Sequence, residues 1–188
     1  MRTICVFSGS NPGARESYAA AAHTLGEELA RRDLRVVYGG AGVGLMSVVA
    51  DAALAAGGSV VGVIPGQLVD KEIAHQGLTE LHVTTTMHER KALMADLSDG
   101  FIALPGGFGT LEEFTEVLTW SQLGLQHKPC GLLDVEGFYA PLLHFFDSAV
   151  TERFVRPANR ELVLADSDPA HLIDAMHAWV PPVGDKWF

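Results

Sequence analysis

The sequence predicts an α/β protein, a doubly wound parallel sheet with helices on both faces. Two observations predict it. Short runs that are apolar at every position, such as Ile4-Cys5-Val6-Phe7 and Val60-Val61-Gly62-Val63-Ile64, alternate with longer segments of helical character. Strands apolar on both faces belong to a sheet covered on both faces, which is the habit of parallel sheets. Several of these runs also end in glycine turns, and right-handed crossovers between them close a Rossmann-like topology. With 188 residues, 48 % of them apolar and 19 % charged, the chain fits one domain with a sizeable core. We read that domain over residues 1–180, with a short tail at 181–188.

The elements follow in order. Thr3–Ser8 is a strand, closed by Gly9-Ser10-Asn11-Pro12-Gly13 and followed by a helix from about Ala14 to Arg32. Arg35–Tyr38 is the second strand, and Gly39-Gly40-Ala41-Gly42 ends it. A helix from about Gly44 to Ala56 stops at Gly57-Gly58, a plausible C-terminal cap. Ser59–Ile64 is the third strand, ending at Pro65-Gly66, and Gln67–Gly77 has no clear period. A strand near Leu81–Thr84, a helix near Met87–Leu97 and a strand at Phe101–Leu104 come next. Pro105-Gly106-Gly107-Phe108-Gly109 then leads into a helix from Thr110 to about Leu123. Cys130–Leu133, a helix near Tyr139–Val150, a strand near Leu162–Leu164 and a helix near Ala170–Trp179 complete the chain, and Pro181-Pro182 stops that last helix.

Composition narrows the function. Thirteen lysines and arginines against 23 acidic residues leave a net charge of −10. A nucleic-acid backbone is bound by basic surfaces that release counterions, so DNA and RNA are poor partners here. Cys5 and Cys130 each lie in an apolar run and read as buried thiols, with no CxxC pair for zinc or redox chemistry. No apolar run approaches the ~18 residues of a membrane span, and the N-terminus lacks a secretory pattern. A cytoplasmic protein without membrane attachment is the expectation.

Glycine turns fall at three strand ends: Ser8-Gly9-Ser10, Gly39 to Gly44, and Pro105 to Thr110. In an open parallel sheet, ligands bind beyond the carboxyl ends of the strands. Glycine there permits positive φ and close approach of the backbone, and the following helix N-terminus favours an anion. Tight turns use glycine anyway, so it is the concentration at one sheet edge that points to a ligand. The second turn is not a dinucleotide fingerprint, because Leu45 stands where a third glycine belongs and no acidic residue ends the next strand. No glycine turn is followed by Lys-Ser or Lys-Thr, so a P-loop is absent too. The expected ligand is a nucleotide or sugar phosphate held without the common ATP or NAD devices.

Two charges sit where the pattern wants none. At 100° per residue, Met87, Leu93, Met94 and Leu97 share a helix face, and Arg90 falls in its middle. A buried arginine needs an anion, either an internal carboxylate or a ligand. Lys91 beside it is either a solvated lysine or a phosphate contact. Thr110 and Glu113 have the spacing of a capping box; alternatively, Glu113 faces the glycine turn and acts on a ligand. Glu112 and Glu116 read as solvent-facing. No histidine pair has metal-ligand spacing, and no metal is expected. His127-Lys128 matches the dipeptide of pyridoxal-phosphate decarboxylases, but it directly precedes Pro129 and a strand and reads as chance.

Met87-His88-Glu89-Arg90-Lys91, followed by Pro105-Gly106-Gly107-Phe108-Gly109-Thr110-Leu111-Glu112-Glu113, resembles the Lonely Guy family. Its members are cytokinin riboside 5′-monophosphate phosphoribohydrolases, often mislabelled lysine decarboxylases. The family's PGGxGTxxE hallmark is complete at Pro105–Glu113, and the likeness runs to about residue 165. The resemblance implies a homodimer, no organic cofactor, and release of a free base and ribose 5-phosphate from a nucleoside monophosphate such as AMP. It implies that Arg90 and Glu113 are the catalytic pair. It places Lys91, Gly106, Gly107, Phe108, Gly109 and Thr110 at the substrate, together with Ser8, Gly9, Gly40 and Gly42 of the earlier turns. Glu72 and Thr119 are carried over from positions outside the two motifs.

The expected chemistry follows. Cleaving an N-glycosidic bond builds positive charge on the ribose, as in O-glycoside hydrolysis. Glu113 would stabilise that charge or activate water, and Arg90 would hold phosphate or ribose and keep Glu113 ionised. The turn amides would grip the phosphate, using remote binding energy to orient the reacting centre. Met46, Met87, Phe108 and Trp120 are candidates for the base pocket, or equally for core or interface. Two rival readings stay open: a carrier that binds a nucleotide or phosphorylated cofactor without chemistry, and a lysine decarboxylase.

Overall fold

A computed structural model describes residues 1–69 and 74–181. Its seven strands are β1 (Thr3–Phe7), β2 (Arg35–Tyr38), β3 (Val60–Pro65), β4 (Glu80–Thr84), β5 (Gly100–Ala103), β6 (Cys130–Leu133) and β7 (Val163–Asp166). All pair in parallel, in the order β4-β3-β2-β1-β5-β6-β7. The chain winds outward from β1 to β4, returns to place β5 on the other side of β1, and winds outward again. The crevice of the sheet therefore lies between β1 and β5, where the winding reverses.

The described residues form eight α-helices: α1 (Glu16–Arg31), α2 (Gly44–Ala55), α3 (Gly66–Val69), α4 (Met87–Asp96), α5 (Phe108–Gln122), α6 (Ala140–Thr151), α7 (Pro157–Arg160) and α8 (Pro169–Ala178). The two-residue period of the strands splits the core into two layers. Ile4, Val6, Val36, Tyr38, Ile102 and Leu104 face α1, α2 and α8. Cys5, Phe7, Val37, Val63, Phe101 and Ala103 face α4, α5 and α6. Both cysteines are free and buried, as their apolar runs suggest. β1, β3, β5 and β6 are buried throughout, whereas β4 at one edge is mostly exposed and carries Glu80 and His82. Charge on an exposed edge discourages pairing with another sheet.

The predicted elements are present, with additions at α3, α7 and a 3-10 turn at Val135–Gly137, and one shift. α3 lies in the segment without a clear period, and α7 is a single turn begun by Pro157. The shift is at α5, which starts at Phe108 rather than Thr110 and has Gly107 as its N-cap. Thr110 is therefore inside the helix, and the capping box expected at Thr110–Glu113 does not form. The reciprocal box belongs to α4, where Thr86 Oγ1 accepts from Glu89 N–H at 3.1 Å and Glu89 Oε2 accepts from Thr86 N–H at 3.3 Å.

The turns after β1 and β2 are pressed together. Leu45 N–H donates to Gly9 O at 3.0 Å. Gly44 has φ of 59°, and a Cβ there would lie 2.3 Å from the carbonyl carbon of Ser10. Backbone conformation and space thus both require glycine at position 44. Gly44→Ala should lower stability by about 2 kcal/mol, seen in a thermal melt as a fall in Tm of about 4–8 °C.

Candidate active site

Arg90 and Glu113 reach the same point from two helices. On α4, Arg90 and Met94 are buried one turn apart, so the inward face of the helix carries a guanidinium at its N-terminal end. On α5 the buried positions are Thr110, Glu113, Phe114 and Val117, an inward stripe at helical spacing with a carboxylate in it. Arg90 Nη1 donates to Glu113 Oε1 at 2.8 Å, and Arg90 Nε donates to Val63 O at the end of β3 at 3.1 Å. The side chains are only 10 % and 11 % exposed, so this is a buried pair rather than a surface contact. The guanidinium rests on the β2 turn: a Cβ at Gly39 would lie 2.2 Å from Arg90 Nη2. Gly39 is a site residue that the sequence reading left unassigned; its mark is a glycine opposite a buried arginine, which only the fold reveals.

Burial pushes the Glu113 carboxyl above its ordinary pKa, and the charge and hydrogen bond of Arg90 pull it back only in part. A carboxyl shifted toward the working pH is a better proton acceptor than an ordinary one. The Arg90 guanidinium sets a positive charge beside that acceptor.

The β1 and β5 turns meet across the crevice, where Gly9 N–H donates to Pro105 O at 3.1 Å. Gly106 makes room for the Thr110 hydroxyl, which would stand 2.1 Å from a Cβ at that position. Gly107 and Gly109 differ, since a Cβ on either would meet nothing within 4 Å. None of these three glycines has positive φ, contrary to the expectation for that turn; in the β2 turn, Gly40 and Gly44 do. The space at Gly107 and Gly109 lies at the start of α5, a helix whose N-cap supplies no side-chain hydrogen bond. First-turn N–H groups left this way suit an anion. Ser8 Oγ is buried nearby in the chain and makes no hydrogen bond with the described residues. A cavity of about 220 Å³ opens between the β1 turn, Pro105–Gly107 and Leu45. Tyr18 and Phe138 wall it, their rings edge-to-face at 5.7 Å. No local sequence signal marks these two aromatics.

Other expected residues fall less centrally. Lys91 Nζ is held between Glu112 and Glu116, 3.0 Å from Glu116 Oε2. Burial alone would lower the Lys91 pKa, but these two carboxylates outweigh it and raise it. Glu116 is consequently half-buried and paired, not solvent-facing. Phe108 projects into solvent at 94 % exposure, so only its backbone lies at the cradle. Thr119 is exposed and donates to Thr115 O, roughly 13 Å along α5 from Thr110. Met87 is exposed, Trp120 packs on the α4–α5 core, and Met46 sulfur approaches Gly39. Glu72 lies outside the described residues. Lys128, the candidate Schiff-base lysine, is at the opposite sheet edge, before β6, donating to Ala95 O at 2.7 Å. No helix among the described residues is long and apolar enough to cross a membrane.

Glycine turns at the switch point, and a buried Arg–Glu pair whose carboxylate comes from the helix that follows one of them, define a Rossmann-like α/β protein. A family model described as "Possible lysine decarboxylase" matches residues 46–176, and the chain belongs to that family. A cytokinin riboside 5′-monophosphate phosphoribohydrolase of Rhodococcoides fascians is 52 % identical over 178 residues, 94 % of this chain and 90 % of the relative. One of Arabidopsis thaliana is 48 % identical over 180 residues, 96 % of this chain and 79 % of the relative. Among solved structures, the molybdenum cofactor carrier protein of Chlamydomonas reinhardtii superposes with a TM-score of 0.71 at 25 % identity, covering 94 % of this chain and 96 % of that one.

A carboxyl whose folded-state pKa exceeds its unfolded value costs stability as pH rises between the two. Removing Arg90 takes away the cation that holds Glu113 down and widens that window. Arg90→Met should therefore cost roughly 3 kcal/mol near pH 7. In urea titrations at several pH values the deficit should shrink steadily as pH falls to roughly 3, where Glu113 is protonated in both states.

Proposed function

We propose that the protein hydrolyses the N-glycosidic bond of a nucleoside 5′-monophosphate, of the cytokinin riboside type or AMP, giving free base and ribose 5-phosphate. The observation that carries this reading is the buried Arg90–Glu113 pair beside the open glycines of α5, in a chain about half identical to enzymes of that name. The phosphate sits on the first-turn amides of α5, in the space at Gly107 and Gly109, with Thr110 at its edge. Ser8, Gly9, Gly40 and Gly42 line the approach, and the base takes the cavity walled by Tyr18 and Phe138. Lys91 reaches the phosphate by exchanging one of its two carboxylate partners for it.

Glu113 does the chemistry at the sugar. As the bond to the base lengthens, its carboxylate stabilises the positive charge on the ribose and accepts a proton from the attacking water. Its raised pKa suits that task, and Arg90 keeps it ionised and aimed. No step calls for an organic cofactor. The protein acts as a homodimer in the cytoplasm: the exposed apolar side chains Met87 and Phe108 at the mouth of the site suit a second copy better than water. Thr119 and Glu72 then belong to the completed site rather than to the cradle of one subunit.

The test is incubation with AMP and with an isoprenylated AMP, followed by chromatography for free base. Glu113→Gln and Arg90→Ala, both folded, should reduce release by at least about a hundredfold. The matching nucleosides without phosphate should react at least about a hundredfold more slowly than the monophosphates. Intact return of every monophosphate by the wild-type protein would favour a carrier instead. In light scattering coupled to gel filtration, the protein should elute at twice the mass of its chain, and Phe108→Glu should shift it toward the single chain.

A further inference from the structure

A second polar cluster packs against the β2 turn. The segment Ala74–Gly77 runs antiparallel to that turn, with a bridge between Ala41 and Ala74. His75 N–H donates to Gly40 O at 2.9 Å, and a Cβ at Gly42 would lie 3.5 Å from His75 Cα. The imidazole is only 12 % exposed, and both of its nitrogens are engaged. Nδ1 accepts from Gly77 N–H at 3.0 Å, so in the neutral ring the proton is on Nε2. Nε2–H then donates to Asp51 Oδ1 on α2 at 2.9 Å. His75 thus ties the segment to α2 by its side chain and to the turn by its backbone. The same turn carries Gly39, the seat of the Arg90 guanidinium.

Building on the hydrolase reading above, we propose that His75 is a positioning residue for the reaction: clamped by Asp51, it fixes the Gly39–Gly42 turn and so the aim of Arg90 at Glu113. The clamp touches neither the α5 amides nor the cavity beside the β1 turn. Its loss acts chiefly on the transition state, because the α5 amides that hold the phosphate are untouched and Gly40 and Gly42 only line the approach.

The experiment compares His75→Ala, Asp51→Ala, their double variant, His75→Gln and His75→Asn. Steady-state release of base from the monophosphate gives kcat and KM, and thermal melts report stability. The Arg90 Nε–H resonance, from the proton held by Val63 O, reports the guanidinium in two-dimensional NMR spectra. His75→Ala and Asp51→Ala should each lower kcat about tenfold or more with KM changed less than about twofold. The double variant should lose no more than either single one. Glutamine, whose amide can replace the Nε2 donor, should restore most of kcat, and asparagine, which can replace only the Nδ1 acceptor, should not. The Arg90 resonance should move in both alanine variants. Wild-type kcat with an unmoved Arg90 resonance overturns the proposal, as does a lowered Tm with kcat and resonance unchanged. If His75→Ala does not fold, Asp51→Ala decides, since that side chain is 65 % exposed. Failure of the wild-type protein to release any base would count against the hydrolase reading alone, and the resonance would still decide whether His75 positions Arg90.

Discussion

A guanidinium and a carboxylate taken out of water need each other, and the upper edge of this sheet is arranged around that need. An isolated buried charge costs several kcal/mol, and attraction to a partner offsets this only when the geometry is good and the remaining donors are used. Arg90 uses Nη1 on Glu113 from α5 and Nε on the Val63 carbonyl from β3, and the missing side chain of Gly39 leaves room for the rest of the guanidinium. Two helices and two strand ends are thereby tied to one point. Two apolar side chains of similar volume would hold α4 to α5 as well, and in other proteins such replacements are often neutral or stabilising by about 1–4 kcal/mol. Stability alone does not explain charge here. Under the hydrolase reading, the charge is explained as a cation set beside the carboxylate that acts on the sugar.

The glycines around the pair answer to different constraints, which explains why no single fingerprint describes them. Gly44 is required by its left-handed backbone and by the β1 turn pressed against it. Gly39 and Gly106 are required by neighbouring side chains, the guanidinium of Arg90 and the hydroxyl of Thr110. Nothing in the described chain would obstruct a side chain at Gly107 or Gly109. Those two sit at the start of a helix with no side-chain cap, where a Cβ would come between a ligand and the amides. Internal packing accounts for the first group, and the second group is accounted for by something that comes from outside.

Most of the architecture was legible because parallel sheets write themselves as fully apolar runs between helices. Arg90 was legible for a related reason, as a charge within an apolar helical face. Glu113 has two readings in the sequence, a capping residue or a group facing the glycine turn. Thr86 and Glu89 have the same spacing as Thr110 and Glu113, and the sequence does not say which pair caps a helix. The backbone of Pro105-Gly106-Gly107 begins α5 two residues early, which turns Glu113 from a cap onto the buried face. Contacts between distant segments left no local trace: Lys91 with Glu112 and Glu116, His75 with Asp51, Tyr18 beside Phe138. These depend on which helices the fold sets side by side, and periodicity carries no information about that.

The similarity in fold to a cofactor carrier sharpens the functional argument. A fold hosts binding and catalysis alike, so the distinction rests on the site. Binding a phosphorylated ligand needs a cradle, and the α5 turn with the crevice between β1 and β5 already provides one. It does not need a second, buried charge pair with a proton acceptor whose pKa is displaced upward. Holding Glu113 and Arg90 out of water is costly whether the site only binds or also reacts. In a hydrolase it is what develops binding into rate, because the interaction strengthens as the sugar becomes positive. Under the hydrolase reading, Arg90, Glu113 and Gly39 are the residues that serve the reaction rather than the binding.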